Sequence, residues 1–298
     1  MNVTMHMGQL PPPLYDATKK LLEAAQDHDG ISPLSEQFLR GLTDPSRGHT
    51  HALLFRHTVS EPAQFGTIIG IATSDGTTLE MVVHPDFRRC KGATALKTAF
   101  PTTPVWAHGD LTEAQQFAQA LGLNPTRQLL VMAADITPHQ VPPLPSGLTL
   151  LTATEAVEQF GQRHFDNQWL IANNQAFSWH PEQGDWDHNR LEAARNTDWY
   201  RPEDVLTLWD NDIMLGFHWM KRHGELAEGA EAEVYVIGLA DAGRGRGLGS
   251  ILLSAGINHL YDEGARRVIL YVESDNTPAI VAYEALGFTT VERHVLYT

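Results

Sequence analysis

Residues 233–250 read EVYVIGLADAGRGRGLGS, and this stretch decides the fold. The apolar, β-branched run at 234–239 predicts a strand. A short turn then leads to Arg244-Gly245-Arg246-Gly247-Leu248-Gly249, which opens a helix. Glycines at a strand-to-helix turn let backbone N–H groups come close to a phosphate, and the helix N-terminus adds about half a positive charge. Arg244 and Arg246 supply further local positive charge. A glycine-rich turn also suits a plain tight turn. The spacing Arg-x-x-Gly-x-Gly is neither the dinucleotide fingerprint Gly-x-Gly-x-x-Gly nor a phosphate loop ending in Gly-Lys-Ser/Thr.

Working outward, the pattern predicts a helix over 247–263, a strand over 267–273, a helix over 277–285 and a terminal strand over 290–297. Upstream, 204–210 pairs with 213–221 as a hairpin across Asn211, and helices cover 154–165 and 188–196. The first half predicts helices over 17–28, 32–42, 93–99 and 112–121. Its strands are expected over 49–56, 65–73, 78–84, 104–108 and 127–135. Strands alternating with helices define an α/β (α+β) chain. Residues 137–147, TPHQVPPLPSG, hold four prolines, which continue neither a helix nor a central strand. They predict a linker between domains 1–136 and 148–298.

The halves also superpose in sequence. Ala120-Leu121-Gly122-Leu123 precedes Ala285-Leu286-Gly287-Phe288 by 165 residues, and Arg88 precedes Arg244 by 156. The nine-residue difference falls in the intervening helix, longer in the second half. This reads as a diverged tandem duplication.

Composition narrows the function. Lys plus Arg is 21 against 36 Asp plus Glu, so the net charge is 21 − 36 = −15, which disfavours a nucleic-acid binder. One cysteine, Cys90, excludes a disulfide framework and a multi-cysteine zinc site. Fifteen histidines tempt a metal reading, but His49-x-His51 and the pair His180 and His188 lack helical ligand spacing. The first residues carry no basic region followed by an apolar stretch, and no window reaches 18 apolar residues. The expectation is a cytoplasmic protein, with neither nucleic acid nor membrane as partner and no metal.

Three motifs in order carry a resemblance: Arg244-x-x-Gly247-x-Gly249, then Tyr271-Val272-Glu273-Ser274-Asp275-Asn276, then Ala282-Tyr283-Glu284-Ala285-Leu286-Gly287-Phe288. The series resembles the coenzyme A core of the GNAT N-acetyltransferases. With His180-Pro181-Glu182-Gln183-Gly184 and Gly216-Phe217-His218-Trp219, it is similar more narrowly to the mycothiol synthase family of tandem GNAT proteins. The resemblance implies two tandem GNAT domains, each a mixed twisted sheet flanked by helices. It implies a monomer that moves acetyl from acetyl-coenzyme A to the cysteinyl amine of desacetylmycothiol. Alternatives are a tandem GNAT acting on another amine (an antibiotic, peptide or polyamine) or a coenzyme A-binding regulatory module without turnover.

By that resemblance Glu233 is the general base and Tyr283 the general acid. Glu36, Glu182, Lys221, Glu233 and Tyr271 meet the acceptor. The backbone of Ile237, Gly238 and Leu239 pairs with the pantetheine arm. The turn of Arg244, Gly245, Arg246, Gly247, Leu248, Gly249 and Ser250 holds the pyrophosphate, and Asn276, Thr277, Pro278, Ala279, Ile280 and Val281 line the remaining side.

The first half is a degraded copy. Arg88-Arg89-Cys90-Lys91-Gly92-Ala93-Thr94 puts Lys91 where the first glycine belongs. At the positions matching Glu233 and Tyr283 stand Thr77 and Ala118, neither able to exchange a proton near neutral pH. If this half binds acetyl-coenzyme A through Met81, Val82 and Val83 with Arg89, Cys90, Lys91, Gly92, Ala93 and Thr94, it does so without catalysis. Cys90 lies beside Arg88, Arg89 and Lys91, which favours its thiolate. No base partner stands near it in sequence.

Overall fold

Apolar runs bounded by turn residues become strands, and residues with helical periodicity cover them. A computed structural model describes residues 2–56, 66–138, 140–179 and 183–298. The chain divides into two compact units, residues 1–130 with 292–298, and residues 131–291. Among the described residues no helix is long and apolar enough to cross a membrane.

The first unit contains β1 (Asn2–Met7), α1 (Pro12–Asp29), α2 (Glu36–Gly41), β2 (Thr50–Arg56), β3 (Thr67–Ser74) and β4 (Leu79–Val83). It continues with α3 (Gly92–Thr98), β5 (Val105–Ala107), α4 (Thr112–Ala120) and the first half of β6 (Pro125–Asp135). β1 to β4 form an antiparallel meander, and β4 pairs with β5 in parallel. Strand alternation sorts the side chains by face, and a bulge at Ile69 of β3 turns that residue to the face opposite Ile71. Leu53 and Ile71 pack with Leu21, Leu22 and Phe38 of α1 and α2, while Leu54 and Ile69 pack with Leu96 of α3 and Ala118 of α4.

The second unit holds β7 (Leu148–Thr152), α5 (Ala153–Phe160), α6 (Gln162–Ala176), α7 (His188–Arg195), β8 (Val205–Asp210) and β9 (Ile213–Arg222). β10 (Ala232–Leu239), α8 (Leu248–Asp262), β11 (Arg267–Glu273) and α9 (Thr277–Glu284) follow, and the chain ends on β12 (Thr289–Tyr297). Its strand order is β11-β10-β9-β8-β7. Trp169, Trp209, Phe217 and Trp219 are fully buried in one aromatic core. Each such ring stabilises the fold by about 1.5–3 kcal/mol or more. Residues 292–298 of β12 belong to the first unit, where Val295, Leu296 and Tyr297 pair antiparallel with β5.

Most expected elements form within two or three residues of their expected ends. The helix expected over 154–165 instead divides at Gly161 (φ 83°, ψ 149°) into α5 and α6. That backbone conformation is open to glycine and stops a helix. The polar composition of α6 hid its buried face, Phe165, Trp169, Leu170, Ala172 and Asn173. β1 and β7 had no expected counterpart.

Candidate active site

The site of the second unit is built on a disagreement between two strands. β10 pairs with β9 along its whole length, but the register jumps between Val234 and Val236, leaving Tyr235 as a bulge. A bulge bends its strand and sharpens the twist. On its other edge β10 pairs in parallel with β11 only from Ala232 to Val234, opposite Val268 to Leu270. Both strands run on, to Leu239 and Glu273, with no further ladder pair between them among the described residues. The backbone edge of Ile237, Gly238 and Leu239 on that side is therefore open.

Glu233 stands at the closed end of this opening. It is 6% exposed, opposite Lys221 on β9 and Ile269 on β11. His223 Nε2 lies 2.8 Å from Glu233 Oε2. Lys221 is also buried, its ammonium 4.9 Å from the Trp199 ring centre and 5.9 Å from that of Tyr235. Such contacts hold a cation against the ring faces. Tyr271, half exposed, is the first β11 residue past the last paired one, Leu270.

The glycine-rich turn closes the other end. Gly245 and Gly247 adopt left-handed backbone (φ 71° and 73°), and α8 begins at Leu248. The first N–H groups of a helix have no partner within the helix. A side chain at either glycine would meet no atom within 4 Å. Arg244 pairs with Asp241 at 2.9 Å and donates to the Gln175 carbonyl, so Asp241 offsets part of its charge. The Arg246 guanidinium donates to the Ala242 carbonyl at 3.3 Å.

α9, capped by Asn276, brings in Tyr283, its one buried residue. Burial pushes the phenol up to about 12, so it stays protonated through the neutral range. Val281 on the same helix is 58% exposed, an apolar side chain left uncovered. Glu182, with His180 and Pro181, lies outside the described residues. Glu36 opens α2 in the first unit, where Arg40 pairs with it at 2.6 Å.

Comparison with known proteins gives the family. Residues 173–288 match the Acetyltransferase (GNAT) family. The chain is 49% identical to the mycothiol acetyltransferase of Corynebacterium efficiens, over 93% of this chain and 90% of that one. It is 46% identical to that of Corynebacterium diphtheriae, over 96% and 94%. The chain belongs to the mycothiol acetyltransferase family. Solved structures share its fold. A tandem GNAT protein from the clavulanic acid biosynthesis pathway superposes with TM-score 0.67 at 17% identity, covering 99% of this chain and 98% of that one. A GCN5-related N-acetyltransferase from Sphaerobacter thermophilus superposes with TM-score 0.65 at 20% identity, covering 98% and 94%.

In this member of the mycothiol acetyltransferase family the first unit repeats the arrangement. β4 pairs with β5 only through Leu79 and Glu80, and beyond them lies a cavity of 460 Å³. Met81, Val82, Val83, Arg89, Lys91, Gly92, Ala93 and Thr94 line it, while Cys90 is exposed and outside the lining. Arg89 and Lys91 hold the left-handed backbone (φ 61° and 64°) that glycines hold in the second unit. The turn keeps its shape at a cost of about 1–2 kcal/mol per non-glycine residue. Arg88 is committed elsewhere, donating to both Asp29 carboxylate oxygens (2.8 and 2.6 Å) and to the Val83 carbonyl. Ala118 is in the cavity lining, and Thr77 sits in the turn before β4, its hydroxyl donating to Asp75.

Two polar residues were missed in the sequence. Glu80 is a buried carboxylate on β4, but Ser35 donates to both its oxygens (2.7 and 2.8 Å) and His108 lies 3.1 Å away. His223 was missed because it gains meaning only through the β9–β10 register. That register places it on the same face as Glu233, two residues past the directly opposite Lys221.

Proposed function

We propose that this protein is an acetyl-coenzyme A-dependent N-acetyltransferase whose acceptor is the cysteinyl amine of desacetylmycothiol, a cysteinyl-glucosaminyl-inositol. The carrying observation is the parting of β10 from β11 past Val234, with a buried carboxylate at its closed end and an anion cradle at its open end. Glu233 and Leu239 are six residues apart, about 20 Å of extended strand. An extended pantetheine arm laid along this edge would run from the cradle toward Glu233.

Acetyl-coenzyme A supplies an activated acetyl thioester. Ile237, Gly238 and Leu239 offer it a strand edge to pair with. The turn from Arg244 to Ser250 receives the pyrophosphate, and the stretch from Asn276 to Val281 covers the apolar side. An α-amine titrates near about 7.7–8.0, so most of it must lose a proton before it attacks. Glu233 accepts that proton as general base. Tyr283, still protonated at neutral pH, donates to the departing sulfur. Lys221 and Tyr271 meet the acceptor's hydroxyls, with Glu182 supplying a carboxylate for its polar groups. The first unit is the non-catalytic copy, a cofactor-binding cavity with Ala118 in its wall and no free carboxylate on β4.

Steady-state release of free coenzyme A tests this reading. Turnover with cysteinyl-glucosaminyl-inositol should exceed that with an aminoglycoside, a peptide amine or a polyamine by at least about tenfold in kcat/KM. Faster turnover with another amine redirects the acceptor assignment, and no turnover with any amine leaves a binding module.

A further inference from the structure

We propose that His223 is the positioning residue of Glu233, holding one carboxylate oxygen so that the other is presented to the acceptor amine. The inference rests on the reading of Glu233 as general base. His223 directly follows β9, and its backbone N–H donates to the Glu231 carbonyl at 3.0 Å, which fixes the residue against β10. Its ring reaches Glu233 Oε2 at 2.8 Å. A carboxylate only accepts hydrogen bonds, so the proton in that contact sits on Nε2 of the imidazole. The Glu233 side chain is 8% exposed and that of His223 34%, so the ring links a buried base to water.

One consequence follows. With Oε2 engaged, the carboxylate is held against rotation, and Oε1 is the oxygen left to take a proton. Neighbouring charges along the chain are engaged elsewhere: Glu231, just before β10, is paired at 2.8 Å with Arg267 of β11, Lys221 lies against two aromatic rings, and Arg222 is bound by Asp204. Glu225 and Glu228 stand on the segment that follows.

The test is a set of kcat and KM profiles against pH for the full-length wild type, His223→Ala, His223→Gln, Glu233→Gln and the double variant Glu233→Gln/His223→Ala. His223→Ala should lower kcat about tenfold or more, as small misplacement of a reacting group does. Its KM for acetyl-coenzyme A should stay within about twofold. His223→Gln, which keeps an N–H donor, should recover kcat to within about threefold of wild type. The double variant should be no slower than Glu233→Gln, since both changes act through one carboxylate. Wild-type kcat in His223→Ala overturns the proposal, as does a His223→Gln variant as slow as His223→Ala. Wild-type kcat in Glu233→Gln removes the base assignment itself, a separate failure.

Discussion

Replacing Gly247 by Ala, Lys and Glu separates the backbone requirement of the turn from its electrostatics. Gly247 has φ 73°, and an added Cβ meets nothing within 4 Å. All three variants therefore carry the same left-handed strain, about 1–2 kcal/mol. For a unit of this size that lowers Tm by roughly 2–4 °C per kcal/mol. The charges then differ. A carboxylate about 4 Å from one phosphate charge costs about 1 kcal/mol in bulk water and about 4 kcal/mol at an effective dielectric of 20. A pyrophosphate carries more than one such charge. Gly247→Glu should therefore weaken acetyl-coenzyme A binding by at least about 1.4 kcal/mol, or tenfold, beyond Gly247→Ala. Gly247→Lys reproduces the residue and backbone of Lys91 in the first unit, φ 64°, and should bind at least as well as the alanine variant. KM for acetyl-coenzyme A reports the turning-over site and calorimetry the total binding. Equal KM and equal affinity in the glutamate and alanine variants would refute the placement of the pyrophosphate on this turn.

Glu233→Gln and Tyr283→Phe should each lower kcat by about 10²–10⁴-fold, with the Glu233 defect partly relieved at higher pH, where more amine is already neutral. Thr77→Ala and Ala118→Gly should leave kcat within about threefold; abolished turnover there, with Glu233→Gln intact, would move the active site to the other unit. Lys91→Gly removes about 1–2 kcal/mol of strain but adds about 0.5–1 kcal/mol of unfolded-chain entropy. Urea unfolding should show it equal to wild type or up to about 1.5 kcal/mol more stable, and a clear loss would mean the lysine side chain supports the turn. Burial pushes the imidazoles of His51, His218 and His294 down to about 4. Between their ordinary value near 6.5 and that level the unfolded chain binds more protons, so stability falls as pH falls through this window. At pH 5 each should cost about 2 kcal/mol relative to pH 7, and urea midpoints identical at the two values would contradict the burial of these rings.

What the amino-acid sequence determined by itself is local. A β-branched run, a turn with glycine at 245 and 247 and a helix-forming stretch specify strand, cradle and helix through contacts between near neighbours, and they are recognisable without any long-range information. The tandem GNAT organisation was legible for the same reason. Non-local pairing decided the rest. Lys91 and Arg89 argue against a left-handed turn by their own preference, yet the packing of the first unit imposes one (φ 64° and 61°). The bulge at Tyr235, the early end of the β10–β11 ladder, the grip of His223 on Glu233 and the capture of Arg88 by Asp29 depend on register and on partners far along the chain. The same holds for Val295, Leu296 and Tyr297, which pair with β5 of the first unit from far along the chain. Strand pairing and burial are settled by whichever distant surfaces satisfy backbone hydrogen bonds and exclude water together, and that choice belongs to the folded chain as a whole.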